Sequence, residues 1–95
     1  MTNAKQKPID HVRIFPVTAA IWKNTTDDGQ NFYSFTLERS YKKDDGNYDS
    51  TSSFNSSDAL LVAKVADIVD TRIRKLRDAD RQAERTAANL ERDVA

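Results

Sequence analysis

The residues able to do chemistry in this chain are few, and they exclude more than they permit. There is one histidine, His11, and no cysteine, so neither a thiolate metal site nor a histidine ligand set can be assembled. A hydrolytic triad would have to use His11, and no nucleophile motif accompanies it. Two glycines are too few for a phosphate-cradling loop or a dinucleotide fingerprint. The carboxylate pairs Asp27-Asp28 and Asp44-Asp45 lack the later bidentate ligand of a calcium loop, and each precedes a glycine in the manner of a turn. The expectation is a non-enzyme with no metal and no small-molecule cofactor. The chemistry that remains is that of contact. Trp22 and Phe32 can stack bases, and Ser34, Thr36, Thr51 and Ser53 carry hydroxyls able to bond phosphate oxygens. The blander alternatives are an aromatic cluster around Pro16 or against a partner protein, and hydroxyls that are only solvated strand residues. Arg72, Arg74, Lys75 and Arg77 spread around a helix and read as a solvated surface with ion pairs such as Asp70–Arg74.

Ninety-five residues make one small domain, and 15 basic against 15 acidic residues leave a net charge of 0. That balance lacks the strongly basic footprint common in nucleic-acid binders. The stretch MTNAKQKP is polar, and no run approaches the roughly 18 apolar residues of a membrane span. The expectation is a soluble, cytoplasmic protein with no membrane partner.

The elements that would position these residues divide near Ser56. All aromatics, glycines and prolines precede it; residues 57–95 contain none and are rich in Ala, Leu, Arg and Asp. The first part predicts strands over Ile9–Lys23, Phe32–Lys42 and Asn47–Phe54. Pro16 interrupts the first, and an Asp-Asp-Gly turn follows each of the first two. Pairing Ile21 with Tyr33, Ala19 with Phe35 and Val17 with Leu37, then Tyr41 with Tyr48 and Phe35 with Phe54, gathers these residues on one apolar face. The opposite face then carries Thr18, Ala20, Trp22, Phe32, Ser34, Thr36, Glu38, Lys42, Asp49, Thr51 and Ser53. The second part predicts one helix starting at Ser56-Ser57-Asp58. Its seam runs Ala59, Val62, Ala66, Val69, Ile73, Leu76, Asp80, Ala83, Ala87, Leu90 and Val94. The fold class is therefore α+β: an antiparallel, three- to four-stranded twisted sheet followed by one long C-terminal helix on one sheet face. Residues 1–8 form a flexible N-terminus and 9–77 the sheet-plus-helix domain. Residues 78–95 are a helical extension, the least ordered part of the helix because its seam is mostly alanine.

The segment from Val12 to about Leu76 resembles the transcriptional-coactivator/whirly class of single-stranded-DNA-binding domains, and suggests a bacterial or phage-type member. The stretch Leu37-Glu38-Arg39-Ser40-Tyr41-Lys42-Lys43-Asp44-Asp45-Gly46-Asn47-Tyr48 carries the likeness: a strand ending in basic and aromatic residues, an acidic-glycine turn, a polar strand, then a Ser/Asn-capped helix. The resemblance implies a dimer whose sheet grips single-stranded DNA. It puts Arg39, Tyr41 and Lys42 where the family's contacts lie and Trp22 with Lys23 near its first loop. The expected nucleic-acid-binding set is thus Trp22, Lys23, Phe32, Ser34, Thr36, Arg39, Tyr41, Lys42 and Lys43. Glu38, Asp44, Asp45 and Asp49 dilute the family's usual positive charge. The width of the apolar stripe at Val69, Ile73 and Leu76 places a homodimer interface there. The expected partner is single-stranded DNA, with RNA as the other nucleic acid. The alternative is a protein–protein adaptor or small assembly protein that never touches nucleic acid.

Overall fold

A computed structural model describes residues 6–94. Strands β1 (Asp10–Ile14), β2 (Val17–Thr25), β3 (Asn31–Lys42) and β4 (Tyr48–Thr51) form an antiparallel sheet in the order β1-β2-β3-β4. One long helix, α1 (Ala59–Val94), follows a single 3₁₀ turn at Ser56–Asp58. This is the α+β architecture expected from the sequence, with four strands. Phe15 and Pro16 are the turn itself, joined by a cis peptide bond, and Pro16 divides the first apolar stretch into the hairpin β1–β2. Of the expected N-terminal segment, residues 1–5 lie outside the described residues, while the Gln6 amide donates to the Lys23 carbonyl at 2.7 Å.

The two remaining hairpins share one turn. In each, Asp-Asp-Gly forms a three-residue loop with glycine at positive φ, 86° at Gly29 and 88° at Gly46, the left-handed conformation that closes such loops. Gly29 N–H donates to the Thr26 carbonyl at 3.0 Å, and Gly46 N–H to that of Lys43 at 3.0 Å. The residues flanking the loops then pair: Thr26 N–H to the Gln30 carbonyl at 2.8 Å, and Lys43 N–H to that of Asn47 at 2.7 Å.

This geometry sets a register different from the sequence expectation. In the first hairpin Ile21 pairs with Phe35, Ala19 with Leu37 and Val17 with Arg39. That is a slip of two residues, which leaves every side chain on its expected face because the strand period is two. In the second hairpin Arg39 pairs with Thr51 and Lys42 with Tyr48. The slip there is one residue and reverses β4. Tyr48 moves to the hydroxyl-rich face, while Asp49 and Thr51 sit opposite Tyr41 and Arg39 on the helix side.

Helix α1 begins where Asn55 N–H donates to the Asp58 carboxylate at 3.0 Å and Asp58 N–H returns a bond to the Asn55 carbonyl at 2.9 Å. With no glycine or proline to interrupt it, the helix runs roughly 54 Å in a molecule 67 Å long. Its first half packs across β2 and β1. Val65, Val69 and Ile73 close over Val12, Val17, Ala19 and Ile21, and together these residues are the core. Leu61, Val62, Ile68 and Leu76 pack around them, half-buried. Val69 and Ile73, expected at a dimer seam, are instead intramolecular core, with Leu76 at its margin. A single sheet does use that apolar width, because the alternating Val17, Ala19 and Ile21 need a cover. Beyond Asp80 the helix leaves the sheet, and residues 81–90 are all exposed; the side chain of Val94 lies outside those described.

Candidate nucleic-acid interface

The sheet face turned away from α1 carries the side chains that alternate with the core. These are His11 and Arg13 from β1, Thr18, Ala20, Trp22 and Asn24 from β2, Phe32, Ser34, Thr36, Glu38, Ser40 and Lys42 from β3, and Tyr48 and Ser50 from β4. No helix covers it. Its centre holds an open groove of about 240 Å³ lined by Pro8, His11, Thr18, Ala20, Trp22, Thr36 and Glu38.

Trp22 is fixed from its edge. The indole N–H donates to Thr36 Oγ1 at 3.2 Å, a diagonal link across β2 and β3. One row further on, the Asn24 amide donates to Ser34 Oγ at 3.2 Å. In both links the hydroxyl is the acceptor and keeps its own hydrogen to give to an incoming oxygen. The bond to Thr36 also restricts the rotation of Trp22, so a base stacking on its ring would lose less entropy than on a free side chain. Phe32, 51% exposed, stands near the same end of β3.

The other end of the face holds a second group of rings. Phe15 and Tyr48 meet edge to face with centroids 6.2 Å apart, and the Arg13 guanidinium lies 6.0 Å from the centre of the Phe15 ring. Lys42 is the register partner of Tyr48. Sequence reasoning missed Arg13, Phe15 and Tyr48 as site residues. The signal that locates Tyr48 was present: an Asp-Asp-Gly loop closed by a left-handed glycine makes Lys43 pair with Asn47, and that parity sends Tyr48 to the open face.

The expected binding set is divided by the sheet. Trp22, Phe32, Ser34, Thr36 and Lys42 share the open face, and Lys43 flanks the second turn with its ammonium 4.0 Å from Asp45. Lys23, Arg39 and Tyr41 lie on the helix side. Arg39 Nε donates to the Ser53 carbonyl at 3.0 Å and sits 3.6 Å from the Asp58 carboxylate, tying β3 to the start of the helix. Lys23 lies 3.9 Å from Asp80 and 6.0 Å from the centre of the Tyr33 ring. Tyr33 in turn donates its hydroxyl hydrogen to Asp80 at 2.5 Å. Burial first, then the hydrogen bond and charge of Asp80, push the Tyr33 phenol up to about 12. On the β1 side, Arg72 bonds the Asp10 carboxylate and the His11 carbonyl, both at 2.9 Å. The His11 backbone N–H, with help from Arg72, holds Asp10 below the usual carboxylate range.

Among the described residues no group of three or more acidic or histidine side chains is gathered that could hold a metal ion. No described helix is long and apolar enough to cross a membrane. The chain matches no protein-family model, no curated protein and no solved structure.

Proposed function

We propose that the protein is a non-enzymatic, single-stranded-nucleic-acid-binding module that uses the open face of its sheet and acts as a homodimer. The observation that carries this reading is the composition of that face: rings at both ends, hydroxyls and amides between them, and no covering element among the described residues. Stacking on aromatic rings is indifferent to sequence because every base has a π-face. Hydroxyls and amides bond phosphate and sugar without reading sequence. A duplex, whose bases are already stacked and paired, has nothing to offer Trp22 or Phe32. The resemblance of the Val12–Leu76 segment to the coactivator/whirly class supports the same reading.

The charge on the face sets the strength. Arg13 and Lys42 are positive and Glu38 is negative, so phosphate neutralisation is small and stacking carries much of the affinity. Lys23 and Arg39, engaged with Asp80 and Asp58, add little.

Titration of Trp22 fluorescence with an oligothymidine and with a duplex of equal length tests the proposal. The single strand quenches and the duplex does so far less. Replacing Trp22 with alanine weakens single-strand binding by about tenfold or more, since stacking is worth roughly 1–3 kcal/mol per base. The salt dependence is shallow, roughly −0.7 in log–log slope for each phosphate neutralised. Absence of quenching at tens of micromolar protein would transfer the function to the adaptor reading.

A further inference from the structure

We infer that Phe15, Tyr48, Arg13 and Lys42 form a second stacking station on the open face, taking a base and its flanking phosphates from the same single strand that Trp22 holds. The inference rests on the proposed function and deepens it, fixing the path and length of the bound strand.

Four observations carry it. Phe15 and Tyr48 are 59% and 61% exposed, although both are large rings on a surface otherwise rich in hydroxyls. They touch each other edge to face, so one ring braces the other. The Arg13 guanidinium lies at the Phe15 ring, and Lys42 is the cross-strand partner of Tyr48, a pairing that sets their Cβ atoms about 5 Å apart. Finally, the pair is held in place from the backbone. The Ser40 N–H donates to the Pro16 carbonyl at 2.8 Å, anchoring the β1–β2 turn against β3 beside β4. Rings with adjacent cations fit a polyanion whose bases are exposed. An apolar protein partner would leave Arg13 and Lys42 desolvated without a counter-charge, which is unfavourable.

Geometry then gives the length. Trp22 pairs with Ser34 and Tyr48 pairs with Lys42, so the two stations are separated by eight positions of β3, roughly 26 Å along the strand. Stacked nucleotides rise about 3.4 Å each, so a trinucleotide reaches one station only. An oligonucleotide of about twelve nucleotides, within the ~4–16 found for single-strand sites, reaches both. The strand runs along β3, over the hydroxyls of Ser34, Thr36 and Ser40, with its phosphates turned away from the Glu38 carboxylate between them.

The test moves the fluorophore. A Trp22→Phe/Tyr48→Trp protein reports on the second station, while the parent reports on the first. Quenching of the indole at position 48 by a twelve-nucleotide oligothymidine is expected. In the parent background, Tyr48→Ala lowers affinity for that oligonucleotide about tenfold, and Lys42→Gln lowers the salt slope. Both substitutions are at exposed positions, and circular dichroism checks the fold. If parent Trp22 is quenched but the indole at position 48 is not, and Tyr48→Ala binds the twelve-nucleotide strand like the parent, the second station is refuted and the proposed function stands. If no length of oligothymidine quenches Trp22 in the parent or the indole at position 48, both fail.

Discussion

The Tyr33 hydroxyl reaches Asp80 across 47 positions of sequence, and Lys23 closes the group from β2. In the heptad stripe Asp80 reads as a polar break. In the fold it is the point where the helix passes the end of the sheet and meets a phenol and an ammonium instead of a methyl group. The contact makes a testable link between protonation and folding. The neutral phenol is favoured in the folded protein, where Tyr33 titrates near 12 against an ordinary value of 10.0. Its contribution is fully present below pH 10. It is lost as the pH rises towards 12, because the unfolded chain gives up that proton first. Urea midpoints of the parent and of Tyr33→Phe, measured at pH 9 and near pH 11.5, should differ most at the lower pH and converge at the higher. A difference that is constant with pH would show that the phenol proton is not linked to folding.

At the scale of elements, the legible and illegible parts of the sequence separate by parity. Val17, Ala19 and Ile21 alternate with Thr18, Ala20 and Trp22, and this alternation alone puts Trp22 on the face opposite the core. A two-residue slip of β3 leaves that assignment intact. In β4 the alternation of Tyr48, Asp49, Ser50 and Thr51 is not apolar/polar, so hydropathy cannot choose the register. Turn geometry decides, through Gly46. Pairing Tyr41 with Tyr48 for aromatic contact gives the wrong parity, and it hides the second group of rings. In the helix, seven-residue spacing finds the stripe but not where it stops being covered. Val65 to Ile73 lie on the sheet, while residues 81–90 are all exposed, with Arg81 and Glu84 beside the β2–β3 turn and the rest beyond it. Isolated helices of that length are marginal in water. Amide exchange should therefore be slow through Val65–Ile73 and fast from Ala83 to Leu90. Slow exchange over the distal segment would require a partner helix.

For the whole molecule the controlling quantity is width. Strands lie about 4.8 Å apart, so four of them make a sheet nearly twice as wide as the roughly 10 Å cylinder of one helix. Helix α1 lies over β2 and β1, and the helix-side face of β3 and β4 is left with partial cover. Phe35 is 45% exposed there, and Leu37, Tyr41 and Phe54 stand on the same side with varying exposure. Phe35 and Tyr41 occupy helix-side positions with little cover, while Leu37 and Phe54 pack against the margin of the core. A second copy related by a two-fold axis would set the same surface of each chain against the other, the closed arrangement most common among homodimers. The homodimer we propose uses this surface and not Val69 or Ile73, which are already buried within one chain. It also leaves both open faces turned outward, so dimer formation and nucleic-acid binding are separable. Sedimentation equilibrium at high micromolar concentration should give twice the chain mass for the parent and the single mass for Phe35→Lys. That variant should keep its circular dichroism spectrum and its Trp22 quenching by oligothymidine. Ile73→Asp, by contrast, should unfold the chain, because it places an unpaired charge in the core between α1 and the sheet. A parent that sediments as a monomer at several hundred micromolar would remove the dimer and leave the inner rings of β3 and β4 exposed in solution.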